Sequence, residues 1–121
     1  MTTPTASASL PISPVLTDAD VVNLVDCAGY GIAYWAASAT LDEEAKTYRV
    51  LESSLELADG EAPADKTLSF DEIRAAFVLL AHDGKLPDWQ MREIADNDLS
   101  FDSSVADVVI QQAMFGEILF G

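Results

Sequence analysis

The apolar positions of this chain follow two rhythms, helical towards both ends and alternating in the middle. After Thr17, residues Val21, Val22, Leu24, Val25 and Ala28 recur at helical spacing and predict a first helix. The Thr17 hydroxyl is placed to cap it, and Asp18 and Asp20 in the first turn meet the positive end of the helix dipole. Gly29 and Gly31, flanking Tyr30, are expected to stop it. Residues 32–41 mix aromatic and small side chains and residues 47–51 are rich in strand formers, so both predict strands, joined by the acidic turn Asp42-Glu43-Glu44-Ala45-Lys46. On such a strand Tyr34 and Trp35 point to opposite faces. The second strand is expected to run on through Leu55 and Leu57, residues 59–65 to form a loop, and Lys66-Thr67-Leu68 to return as a short third strand.

The helical rhythm resumes at Ser69-Phe70-Asp71-Glu72. Here Ser69 can accept from the backbone of Glu72 while the Glu72 side chain reaches back to the cap. Ile73, Ala76, Phe77 and Leu80 form the inner face of that helix, and Asp83-Gly84 ends it. A shorter helix is expected after Pro87, at its first helical position, with Trp89, Met91, Ile94 and Ala95 as its apolar residues. A last helix spans about residues 104–119, with Ser104, Asp107 and Gln111 as one narrow polar stripe. A helix apolar nearly all round must be covered, by its own domain or by a second copy. Val109, Met114, Phe115 and Ile118 are therefore candidate contacts of a homo-oligomer. The expected fold class is α+β: an N-terminal helix, an antiparallel hairpin or three-stranded sheet, then three helices. It forms one domain over residues 15–121, and the Thr/Ser/Ala/Pro-rich residues 1–14 form an arm expected to be disordered.

Composition narrows the partners. With 121 residues, half of them apolar, the chain can close a core without metals or disulfides. Its single cysteine, Cys27, excludes an internal disulfide and suits a reducing compartment. No apolar run is long enough to span a membrane, and residues 1–14 do not read as a signal peptide. Six Lys and Arg stand against 21 Asp and Glu, a net charge of −15 that repels phosphate backbones and anionic lipid. Direct nucleic-acid and membrane binding are thus expected to be absent. Such an excess of acid serves solubility, tolerance of high salt, or a basic partner.

Catalytic chemistry is hard to assemble. His82, the only histidine, lies near a helix end beside Asp83, where it reads as a cap. Cys27 follows Asp26 on the apolar side of the first helix, a setting that raises a thiol pKa and marks a core residue. No G-x-S-x-G elbow or phosphate-binding glycine loop occurs. The run Asp96-Asn97-Asp98-Leu99-Ser100-Phe101-Asp102 alternates oxygen ligands as a calcium loop does. Phe101, however, stands where the loop needs glycine, and Asp107 replaces its bidentate Glu, so it reads as an interhelix loop with Asp102 or Ser103 as a cap. No cofactor or metal is expected. The candidate binding residues are instead acids: Asp42, Glu43 and Glu44 in the turn, Asp59, Glu61 and Asp65 in the loop, and Asp96, Asp98 and Asp102 near the last helix.

Two stretches are distinctive as patterns: Tyr30-Gly31-Ile32-Ala33-Tyr34-Trp35-Ala36, and the ending from Val105-Ala106-Asp107 through Ile110-Gln111 to Phe115-Gly116-Glu117-Ile118-Leu119-Phe120-Gly121. With the acidic helix before them, they resemble small acidic proteins of unknown function encoded by bacteriophages of actinobacteria, over roughly residues 17–121. The resemblance implies a cytoplasmic product of an infected host and transfers no catalytic residue. Two functions are expected from different classes. One is a non-catalytic accessory protein that binds a basic host or phage protein, its carboxylates imitating DNA phosphates. The alternative is a structural or assembly protein acting as a homo-oligomer through its apolar last helix.

Overall fold

The computed structural model describes residues 16–55 and 57–121, so the expected N-terminal arm lies outside the described residues. The order of elements is α1 (Asp18–Gly31), β1 (Ala36–Asp42), β2 (Thr47–Glu52), β3 (Asp65–Ser69), α2 (Phe70–His82), α3 (Asp88–Asp96) and α4 (Ser103–Phe115). This is the expected α+β fold, with an N-terminal helix, a three-stranded antiparallel sheet in the order β1-β2-β3, and three further helices.

Both local capping signals form as their residue types dictate. Thr17 and Asp20 exchange reciprocal side-chain to backbone bonds at the start of α1, and Ser69 and Glu72 do so at α2. Tyr48 and Val50 on β2 and Leu68 on β3 share one sheet face and are buried against the helices. Leu24 of α1, Phe77 and Leu80 of α2 and Ile110 of α4 complete the same core, in which α4 packs against both α1 and α2.

Several boundaries differ from the expectation. α1 runs through Gly29 to Gly31, because its last turn packs closely on α4: a methyl group at Gly31 would overlap the Ser103 carbonyl oxygen. Glycine there serves close approach, not termination. Residues 32–35 form turns rather than strand, so Tyr34 and Trp35 do not point to opposite faces of a sheet: without the pleat, both side chains reach α4. β1 starts only at Ala36, with a bulge between Ala36 and Ser38. β2 ends at Glu52 and does not reach Leu57, and Leu55 is exposed. Asp65 belongs to β3, not to the loop. Pro87 is the N-cap of α3, one residue outside it. α4 stops at Phe115, because Gly116 adopts the left-handed conformation (φ 74°) that closes the helix. Ile118 therefore lies beyond the helix, in a tail that folds back.

Candidate functional site

The two distinctive sequence patterns meet. The Asp107 carboxylate, half-buried on α4, accepts three hydrogen bonds: from the Tyr34 hydroxyl at 2.6 Å, from Trp35 Nε1 at 2.7 Å and from Gln111 Nε2 at 2.8 Å. Gln111 is fully buried, and its Oε1 accepts the backbone N–H of both Leu119 and Phe120 at 2.8 Å. That side chain replaces the next helical turn as partner of the tail, so the chain leaves the helix at Gly116 without orphaning these donors. Trp35 then stacks on Phe120, with ring centroids 5.5 Å apart, and meets Phe115 at a tilt. Of the narrow polar stripe, Asp107 and Gln111 thus form an internal clamp, while Ser104 is exposed. Its sequence signal was an Asp and a Gln four residues apart on an otherwise apolar helix.

The clamp holds the Tyr34 hydroxyl in its protonated form. Removal from water and the adjacent Asp107 charge push its pKa up to about 12, although more than half of the residue's surface is exposed. Beside the clamp lies a cavity of about 250 Å³ lined by Tyr34, Trp35, Glu52, Ser53 and Phe120 among others. It falls below the usual range of ligand pockets. Among the described residues its one lining side-chain carboxylate, Glu52, accepts the Ala64 amide at 3.0 Å.

The oligomer candidates sit against this clamp. Val109 is fully buried and Met114 nearly so, both in the core of their own chain, and Phe115 packs on Trp35 and Phe120. Of the four, only Ile118 is exposed, followed by the exposed Leu119. The apolar surround of α4 is covered by α1, α2 and the returning tail, which is the physical reason it need not meet a second copy.

The acidic candidates do not gather in one patch. Asp42, Glu43 and Glu44 are exposed at the β1–β2 turn, where Asp42 Oδ1 accepts the Ala45 amide at 2.9 Å. Asp59 and Glu61 lie at the other end of β2, about 17 Å away at the rise of a strand. Glu61 there accepts the Ala58 amide. Asp65 is not a free acid. Arg49 grips it with two bonds, at 2.9 and 2.6 Å, and holds its carboxyl below the usual range.

Asp96 is exposed at the end of α3, Asp98 is exposed in the α3–α4 connection, and Asp102 caps α4 by accepting the Val105 amide at 2.8 Å. That connection is organised by Glu93, which accepts both the amide and the hydroxyl of Ser100. Ser100 is thereby turned away from the ligand role a calcium loop would give it. Among the described residues no group of three or more His, Cys, Asp or Glu side chains is arranged to hold a metal ion.

One acid was missed by the sequence reading. Asp26, exposed on α1, lies near Tyr48 and Cys27, and Asp102 also lies near Cys27. Glu43 borders the first half of α1, beside Asp18 and Val22, and Phe101 borders its second half, where its carbonyl accepts the Cys27 thiol at 3.4 Å. Desolvation and those two acids push the Cys27 thiol up, away from nucleophilic form. His82, in the last turn of α2, is exposed.

No protein-family model, curated protein or solved structure matches the chain. Among the described residues no helix is long and apolar enough to cross a membrane.

Proposed function

We propose that this chain is a non-catalytic binding module that docks on a basic surface of a host or phage protein, as an accessory protein of an actinobacterial bacteriophage. In an infected cell it would act in the cytoplasm, its carboxylates standing where DNA phosphates would. One observation carries this reading: the division of charge. Four of the six basic residues, Lys46, Arg49, Lys66 and Arg74, are engaged by Asp18, Asp65, Glu72 and Asp71. Asp42, Glu43, Glu44, Asp26 and Asp102 have no ion-pair partner among the described residues and are exposed. Exposed, unpaired carboxylates on turns and helices can enter a cleft built for phosphates and release the same counterions.

The test is capture of a partner from an actinobacterial lysate by immobilised protein, compared with Glu43→Lys/Glu44→Lys at low and high salt. The reading predicts a basic protein that elutes with salt and is not held by the double variant. Equal retention by both proteins contradicts it. A second reading, assembly as a homo-oligomer, draws on exposed Ile118 and Leu119 in the tail. Light scattering on wild type and Ile118→Asp tests it, because only an oligomer formed there would dissociate.

A further inference from the structure

We propose that the outer edge of β1 is a strand-addition site for an extended, basic segment of the partner. This rests on the reading above and names the form in which the partner is held.

Parity within the sheet decides which backbone groups are available. Phe70 N–H donates to the Lys46 carbonyl at 3.1 Å and Glu52 N–H to the Ala64 carbonyl at 2.8 Å, so even-numbered residues of β2 face β3. Ser53 N–H donates to the Trp35 carbonyl at 2.8 Å, so odd-numbered residues face β1. Ser38, Thr40 and Asp42, opposite Leu51, Arg49 and Thr47, therefore turn their backbone groups towards β2. Ala39 and Leu41, opposite Val50 and Tyr48, turn theirs outward. Among the described residues no other strand covers that edge.

The opposite edge of the sheet is guarded in the usual way. β3 is short, bears Asp65 and Lys66, and is tied to α4 by the Lys66 ammonium on the Ala113 carbonyl. β1 has no charged residue between Ala36 and Leu41, and among the described residues its one guard is the bulge at its start. Ala36, Ala37, Ser38, Ala39 and Thr40 are small, so an added strand meets no bulky side chain on either face.

Charge selects the occupant. A strand laid along Ala39 and Leu41 runs its end past Asp42, Glu43 and Glu44, which are exposed and without a cationic partner among the described residues. A second copy would bring another net charge of −15 to that edge, whereas lysines or arginines at the end of an incoming segment would neutralise the turn. Main-chain bonds would then supply affinity, and the acidic turn the choice of partner.

The experiment titrates isotope-labelled protein with a peptide of alternating valine and threonine flanked at both ends by paired arginines, followed by amide NMR. Slowed exchange at the Ala39 and Leu41 amides is expected. Binding should weaken by about tenfold or more with the same peptide N-methylated at alternate residues, and with Ala39→Pro, which removes only an outward N–H. The methylated peptide leaves the protein untouched, so it decides the matter even if Ala39→Pro fails to fold. No binding at millimolar peptide, or equal binding of the methylated peptide, overturns strand addition. If Glu43→Lys/Glu44→Lys abolishes binding while methylation does not, the acidic-surface reading survives alone. If methylation abolishes binding and the double variant binds normally, the role of the acids falls, and this proposal with it. A dimer of the protein alone that Ala39→Pro converts to monomer would place a second copy on the edge and overturn the basic partner.

Discussion

The two ends of β1 are built on opposite principles. At Trp35, just before the strand, every polar group has a partner. Asp107 takes three donors, Gln111 takes two backbone amides, and aromatic rings seal the joint. About 20 Å along the chain, at Asp42, the acids of the turn are exposed and the strand leading to it shows an edge unpaired among the described residues. The difference teaches that the most distinctive residues of a sequence can be those that hold it together. The residues free to act on another molecule are here the ordinary ones: alanine, serine, threonine and scattered acids.

The sharpest way to break this comparison is at Gly31. Gly31→Val should lose about 3 kcal/mol in denaturant unfolding, because the added bulk meets the backbone of Ser103 and the helix ends must separate. Gly29→Ala, two residues earlier with open space around it, should instead gain about 0.5–1 kcal/mol. Equal effects at the two glycines would remove the case for close approach. Next in size, Gln111→Leu should cost about 2 kcal/mol by leaving the Leu119 and Phe120 amides without their acceptor. In a Trp89→Phe background, the emission of Trp35 should shift to the red as Phe120 leaves it. Unchanged emission would mean that the tail is held by its apolar contacts alone.

A smaller effect is expected at high pH. The folded-state pKa of Tyr34 is raised to about 12 by removal from water and by Asp107, above the ordinary 10.0. The stabilisation this reflects is complete below pH 10 and is lost as pH rises towards 12. Tyr48, raised to about 12 by burial and by Asp26, adds to the same loss. Tyr34→Phe should therefore flatten part of the alkaline fall in unfolding midpoint. The acid limb runs the other way. Asp18, lowered by Lys46 and Arg74, and Asp65, lowered by Arg49, stabilise above the ordinary 3.8 and lose that contribution as pH falls through their lower folded values. Smallest of all, Glu43→Lys/Glu44→Lys should change stability by no more than about 0.5 kcal/mol, since surface positions away from packing rarely matter more. A larger loss would mean that the turn, too, is structural.

Much of the fold was legible because its signals are local. The capping residues Thr17 and Ser69 lie three residues from their partners, and the acidic turn lies between two strands that pair across it. The helix stop at Gly116 was equally local, a glycine after an apolar run, yet the apolar pattern carried the reading past it to Leu119. The clamp was not legible. Two of the three partners of Asp107 lie 72 and 73 residues away, so an Asp and a Gln four residues apart on an apolar helix mark a position without naming what it holds. The acids could be listed from the sequence, but their pairing could not. Asp65 and Glu43 look alike as residues and differ only because the register sets Arg49 beside Asp65.

The most direct measurement is residue-resolved amide exchange of the protein alone and with its captured partner. The account predicts new protection at Ala39 and Leu41 and in the turn at residues 42–46, with Trp35 and the amides bound by Gln111 unchanged. Protection confined to the Tyr34, Trp35 and Phe120 cavity, with the hairpin exchanging as before, would contradict it.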